Sequence, residues 1–354
     1  MSHDFGFLCY NEQMQEIITI GSITRDVFLD ASNLPLAKVS DFPLKSGILL
    51  PFGEKVEIKK IYFTIGGNSA NAAVTFARQG LKTACVGNIG NDPGGKEIIK
   101  KLKKEKIKTN LIVQSKKLPT AYSVLLLNNG ERTILNYHGA SNEFRFPFQK
   151  TKELLAKWWY LSLAGNSYKF FKQFVSFASK NKIALAFNPS GYHLQMDKEE
   201  ILKSLKLINF LVLNQEEAAT LTNSQPDETK TIFQKLNNLT PNIFAITSGK
   251  GGVIVSDKKF IYQAGTFSEK KLIDRTGAGD AFGSGFVAAL IKMGFNFQNI
   301  KNIQPQHIKE AIRVASANAT SVVEHLGATE GILKTKELQN KRFKNLKITI
   351  TKIY

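Results

Sequence analysis

The residues best suited to chemistry stand in one run, Asp274-Arg275-Thr276-Gly277-Ala278-Gly279-Asp280-Ala281-Phe282-Gly283-Ser284-Gly285. The Gly277-Ala278-Gly279 turn opens a helical pattern, so backbone N–H groups without helical partners face outward. The helix dipole adds positive potential, and the result is an anion site. Asp280 falls in the first helical turn beside it. A carboxylate next to a phosphate cradle is repelled unless it has a task. Accepting a proton from a hydroxyl that attacks phosphorus is such a task. The alternative is a helix capped by Asp after a glycine turn.

A second run is Gly66-Gly67-Asn68-Ser69-Ala70-Asn71-Ala72-Ala73-Val74. Two glycines allow close backbone approach to a ligand. Asn68 and Asn71 lie three apart and point the same way at a helix start. Their amides offer donors and acceptors together, which suits a polyhydroxylated ligand. Gly90-Asn91-Asp92-Pro93-Gly94-Gly95-Lys96 nearly spells a nucleotide P-loop, but Glu97 stands where Ser or Thr would hold magnesium. A carboxylate there opposes phosphates, so this run is set aside. No Gly-x-Gly-x-x-Gly follows the first strand, which argues against dinucleotide chemistry.

The elements that must position these runs follow from the apolar pattern. Ile17–Ile20, Thr83–Val86, Tyr160–Leu163, Ile183–Phe187, Leu207–Leu213 and Ile243–Ile246 are short, apolar on both faces and stop at Gly, Asn, Ser or Thr, as buried parallel strands do. Amphipathic helices are predicted between them, over 70–79, 95–105, 168–179, 217–221 and 232–236, with longer ones over 279–292 and 305–325. The alternation predicts an α/β fold, a doubly wound and mostly parallel sheet with helices on both faces. Function in such sheets gathers at the carboxyl ends of the strands. Two strand-rich segments break the rhythm. Residues 30–64 carry β-like runs at 47–51 and 55–63, and 121–137 reads as a hairpin turning at Asn128-Asn129-Gly130. Both are candidates for a small β-sheet lid. Residues 346–354 alternate like one last edge strand.

The chain has 354 residues, and its composition is that of a globular protein. The formal charge is +19, which invites a nucleic-acid reading, but only seven basic residues are Arg, the side chain suited to bidentate base contacts. The densest Lys run, within 100–106, sits on a helical pattern with Ile98, Ile99 and Leu102 as its buried stripe. It reads as a solvated face, so no specific nucleic acid is expected. No membrane partner is expected either, because no apolar run nears the ~18 residues of a span. Cys9 and Cys85 are too few for a disulfide framework and fit a reducing compartment. With no basic leader before a hydrophobic stretch, the expected location is cytoplasmic.

The two glycine-rich runs, in this order and spacing, resemble the paired signatures of the ribokinase-like (phosphofructokinase-B-type, PfkB) carbohydrate kinase family, from about Ile17 to about Ile332. The resemblance implies a three-layer α/β/α domain over 1–354. Its lid comes from insertions at about 28–64 and 119–138, with short extensions at 1–15 and 335–354. It implies an ATP-dependent kinase that phosphorylates a hydroxymethyl group of a sugar, with nucleoside and phosphosugar kinases as alternatives on the same fold. A non-catalytic sugar sensor is a further alternative. By the same resemblance, Asp280 is the catalytic base and Gly277, Ala278 and Gly279 form the anion hole. Asp26, in Gly21-Ser22-Ile23-Thr24-Arg25-Asp26, binds substrate with Gly67, Asn68 and Asn71. Asn214, in Asn214-Gln215-Glu216-Glu217, falls on the nucleotide side with Thr247, Gly249, Gly252, Gly279, Ser316 and Asn318. Glu217 handles Mg2+ through water. Asp274, Thr276 and Gly327 fall where many members bind a monovalent cation, K+ among them. The resemblance also implies a homodimer through the lid. The chain departs from the family pattern at Asn68, often Lys in ribose-specific members, and at Ser316, where ribokinases commonly carry Asn. Phe28, Phe63 and Tyr137 are candidate stackers for a nucleobase, and Arg25 and Arg132 are candidate partners for a substrate phosphate.

Overall fold

The computed structural model describes residues 14–42, 45–128 and 131–353. The chain opens with strands β1 (Gln15–Gly21), β2 (Thr24–Asp30), β3 (Leu36–Lys38), β4 (Ser46–Ile48) and β5 (Ile61–Gly66), then helix α1 (Asn68–Arg78). Next come β6 (Thr83–Gly90), α2 (Pro93–Lys104), β7 (Ile112–Ser115), β8 (Ala121–Asn128), β9 (Glu131–Tyr137), β10 (Ala156–Ser162) and α3 (Phe171–Lys180). They are followed by β11 (Ala184–Phe187), α4 (Gly191–Met196), α5 (Lys198–Ser204), β12 (Phe210–Asn214), α6 (Gln215–Thr222) and α7 (Thr229–Leu239). The last elements are β13 (Ile243–Thr247), β14 (Val253–Ser256), β15 (Phe260–Ala264), α8 (Ala278–Lys292), α9 (Pro305–Val323) and β16 (Ile348–Lys352).

Ten strands form one sheet in the order β16-β15-β14-β13-β12-β11-β10-β1-β6-β7. Every pairing from β13 across to β7 is parallel, and β14, β15 and β16 add antiparallel edges. The strand order reverses between β1 and β10, which opens a crevice at their carboxyl ends. Two apolar layers cover the two faces. Neighbouring Trp158 and Trp159 on β10 enter opposite layers, as the two-residue period of a strand requires. One layer centres on α8 and α9, where Phe210 and Phe286 stack with centroids 4.4 Å apart. The other packs α3, α5 and α7 against Trp159, Leu185 and Phe244.

A separate four-stranded sheet has the order β5-β2-β8-β9. It begins at Thr24, earlier than the boundary near 28 read from the sequence. Of the expected 55–63 run only 61–63 are strand, β5 continuing to Gly66, because Lys55, Glu57, Lys59 and Lys60 spread charge along a solvent-facing loop. β8 and β9 pair as the expected hairpin; its turn residues 129–130 and the segment 1–13 lie outside the described residues. The set-aside Gly90–Lys96 run is a helix start. Asp92 accepts from the Gly95 N–H at 2.7 Å and from both the N–H and the hydroxyl of Thr120. Along α2, Ile98 and Leu102 are buried and Ile99 is partly so, with the lysines outward. Segment 335–352 does not trail away: Leu338 and Phe343 join the main core, and β16 pairs with β15. Among the described residues, no helix is long and apolar enough to cross a membrane.

Candidate active site

The site forms where β1, β10, β11, β12 and β13 end and where α1 and α8 begin. Gly277 caps α8 with φ 79°, and a Cβ there would lie 2.4 Å from that of Ala328, so only glycine fits this turn. Asp280 follows in the first turn and is buried. The Asn71 side-chain N–H donates to its Oδ2 at 2.9 Å, and that of Asn188 donates to its Oδ1 at 3.3 Å. Burial pushes the Asp280 carboxyl up to about 6; the Asn71 hydrogen bond opposes this and the Asp26 charge adds to it. It is therefore a base with substantial proton affinity near neutrality.

Asp26 lies on β2, opposite Thr64 of β5 and Ser123 of β8. Thr24 Oγ1 donates to it at 2.8 Å. Burial raises its pKa, while the Thr24 and Ser123 hydroxyls hold it down. A Cβ on Gly66 would sit 2.0 Å from the Asp26 carboxylate, so the missing side chain makes the seat for this acid. Gly67 caps α1 at φ 87°, pressed against the Ser22 carbonyl. Asn68 Nδ2 donates to Ser162 Oγ at 2.8 Å, which ties it to the end of β10. Asn71 Oδ1 and Thr64 Oγ1 are buried without protein partners. Such atoms are costly unless a ligand satisfies them.

Two cavities flank these residues. One, of about 260 Å³, is lined by Thr247, Gly249, Gly252, Gly279, Ser316 and Phe282. A Cβ on Gly279 would meet nothing within 4 Å, so the backbone stands open there. The Ala278 N–H makes only a long 3.4 Å bond, to the Arg275 carbonyl. Asn318 does not line this cavity. It is 1% exposed, donates to the Ala281 carbonyl at 2.9 Å and accepts from the Leu333 N–H at 3.0 Å, clamping α9 to α8 in the core. Asn214 is exposed and forms a reciprocal cap with Glu217, each side chain bonding the other's N–H at 2.8 Å. Glu217 is half-buried. Burial raises its carboxyl to about 7 against the Asn214 N–H, and the negative charge of Asp280 contributes.

The second cavity, of about 670 Å³, opens beneath the small sheet and is lined by Tyr62, Phe63, Thr64, Arg132, Ile273 and Asp274. Asp274, Thr276 and Gly327 do come together. Thr276 donates its N–H and hydroxyl to Asp274 Oδ1 at 3.0 and 2.7 Å, and the Gly327 N–H reaches Oδ2 at 3.3 Å. Arg132 of β9 adds a guanidinium 3.8 Å from the same carboxylate. Gly327 thus presents a donor to this carboxylate. Thr64 and Asn188 belong to no motif read above; Gly66 stood in the second run without a role, and Arg132 stood only as a candidate for a substrate phosphate. Of the two unread residues, Asn188 carried a signal, as a polar residue just past an apolar strand.

A model of the pfkB family carbohydrate kinases matches residues 14–336. The chain is a pfkB-family carbohydrate kinase. It is thus a phosphotransferase acting on a sugar hydroxyl. This kinase is 26% identical over 253 residues to an ATP-dependent 6-phosphofructokinase of Thermoanaerobacterium thermosaccharolyticum, covering 68% of this chain and 77% of the relative. It is 24% identical to a ribokinase of Lactococcus lactis, covering 95% of this chain and all of that one. Its fold superposes on Arabidopsis thaliana ribokinase, solved with ribose and ATP, at a TM-score of 0.76 and 21% identity, over 94% of this chain and 99% of the other.

Proposed function

We propose that the kinase transfers the γ-phosphoryl group of ATP to a hydroxymethyl oxygen of an uncharged sugar. The observation that carries this is the first turn of α8. Gly279 lines the smaller cavity, and the next residue, Asp280, is bonded to Asn71 on the other side. One turn of helix therefore serves two ligands. Asp280 accepts the hydroxyl proton as the oxygen attacks phosphorus, and the first-turn N–H groups stabilise the growing charge. Asp26, Gly67, Asn71 and Thr64 hold the sugar hydroxyls; Asn68 supports them from its bond to Ser162. Thr247, Gly249, Gly252, Gly279 and Ser316 hold the nucleotide, with Asn214 at its phosphate end.

Glu217 is a half-buried carboxylate within electrostatic reach of Asp280, which suits a hydrated Mg2+. Glu217 and Asn214 would hold such an ion, which would supply charge neutralisation at the phosphates. Asp274 and Thr276 offer hard oxygen ligands to a monovalent cation, with Arg132 competing for the carboxylate. The small sheet acts as a lid that keeps water from the reaction.

Two observations favour an uncharged sugar over a phosphosugar. Arg25 is paired with Glu97 at 2.6 Å, and Arg132 lies against Asp274. Arg25 is thereby engaged, and Arg132 is drawn toward Asp274. A nucleoside is the second reading, because Tyr62 and Phe63 line the larger cavity. Phe28 is fully buried and cannot stack on a ligand. The test is ADP release across pentoses, hexoses, phosphosugars and nucleosides, with K+ or choline as the cation. Turnover on free sugars is expected. Turnover confined to phosphosugars, or none on any acceptor, overturns the reading.

A further inference from the structure

Asp280 is held at both oxygens, and only one of its holders, Asn71, stands in a glycine-rich run. The other is Asn188, the first residue past β11. Its backbone is fixed on both sides: its N–H donates to the Leu161 carbonyl at 2.9 Å, and its carbonyl accepts from Ser162 Oγ at 2.9 Å. Ser162 Oγ in turn accepts from Asn68 Nδ2 at 2.8 Å. A continuous hydrogen-bonded relay thus runs from Asn68 at the head of α1, through Ser162 and Asn188, to Asp280. Asn71 closes it from α1 on the opposite oxygen. The first turn of α1 and the sheet therefore grip one carboxylate from two directions.

We propose that Asn188 is a positioning residue that fixes the Asp280 carboxylate and sets its proton affinity, with Ser162 and Asn68 as its supports. The inference rests on the reading of Asp280 as the base. An amide N–H donates to a carboxylate only while that group is charged or acting as an acceptor, so it favours the ionised form. Burial pulls the other way first, and the groups facing Asp280 add to it: Asp26 on β2 and Glu217 on α6 are acidic, and Tyr160 on β10 is a buried phenol. Two amide donors counter two carboxylates, which leaves the base ionised at neutral pH yet able to take a proton. Orientation matters as well, since a carboxylate free to rotate loses its aim on the reacting hydroxyl.

The test uses the full chain with 13C-labelled aspartate carboxyls, the Asp280 signal being assigned by its loss in Asp280→Asn. The midpoint of that signal is followed with pH in the wild type, Asn188→Ala and the isosteric Asn188→Asp. The Ala variant is expected to raise the midpoint by about one pH unit, and the Asp variant by more. Ser162→Ala and Asn68→Ala move it the same way by less. Turnover of Asn188→Ala falls on the order of tenfold, with its acid limb displaced upward and the acceptor KM within about twofold. An unmoved midpoint in both Asn188 variants overturns the proposal, as does a defect confined to acceptor KM, which would make Asn188 a substrate contact. Because the midpoint is read without turnover, a shifted signal in a chain that phosphorylates nothing would sink the kinase mechanism and leave the positioning role standing.

Discussion

The ten-stranded sheet and the four-stranded sheet share a chain that leaves one at Gly21 and joins the other at Thr24, yet they are stabilised differently. β6 is buried at every position and β10 at all but one. Strand β9 of the small sheet is exposed at every position, with Ile134, Leu135 and Tyr137 each close to half accessible. The large sheet is a core, while the small one is buried along much of β2 and turns a surface outward at β9. A surface that keeps apolar side chains in water is a surface with something to cover, either substrate beneath it or a second lid against it. On the function proposed above, the buried sheet aims the base and the exposed strand β9 governs access.

This contrast can be broken by experiment. The largest effect is expected where the rigid sheet meets chemistry: Asp280→Ala loses roughly a hundredfold or more in turnover while acceptor binding persists, and near-normal rates would remove Asp280 from its role. Next, Phe286→Ala, which unstacks Phe210, costs about 3–5 kcal/mol in urea unfolding. Leu135→Ser on β9 costs within about 0.5 kcal/mol. Equal losses would abolish the distinction between core and surface. In sedimentation, Leu135→Ser is expected to weaken a lid-to-lid dimer; a wild type that is monomeric at assay concentrations removes that dimer.

Titration gives a smaller effect. Asp280 titrates near 6, above its unfolded value, so turnover falls as pH drops through about 6. The sign for stability is opposite. The buried charge disfavours folding most above that pH, and the cost is relieved as pH falls toward 3.8. Asp280→Asn is thus expected to raise Tm at pH 8 by a few degrees, roughly, and to lose that advantage near pH 4. A variant no more stable at pH 8 would show that the carboxylate is better solvated than its burial implies.

Much of this frame is legible in the residues. Ile17–Ile20 and Ile243–Ile246 read as strands because burial on both faces leaves an unbroken apolar run, and Gly277 and Asp280 read as a site because a glycine turn before a helix has few other uses. Other features are not local. Thr64, Asn188 and Arg132 join the candidate site only through strand register and chain crossings that bring residues distant in the sequence together. Asn318 misleads for the converse reason: it stands two residues from Ser316 on α9, and that offset turns it from the cavity to the core. Charged residues 55–60 break a strand that apolar counting alone extends.

The seat that Gly66 makes for Asp26 has a consequence for how this kinase can change over generations. Any side chain at 66 evicts the acid at 26, so the acid holds the glycine in place. The dependence runs one way: once the carboxylate is lost, position 66 is free to grow. Descendants that abandon this substrate should first lose the aspartate and only then fill the gap, leaving a bulky residue at 66 as the mark of a changed diet.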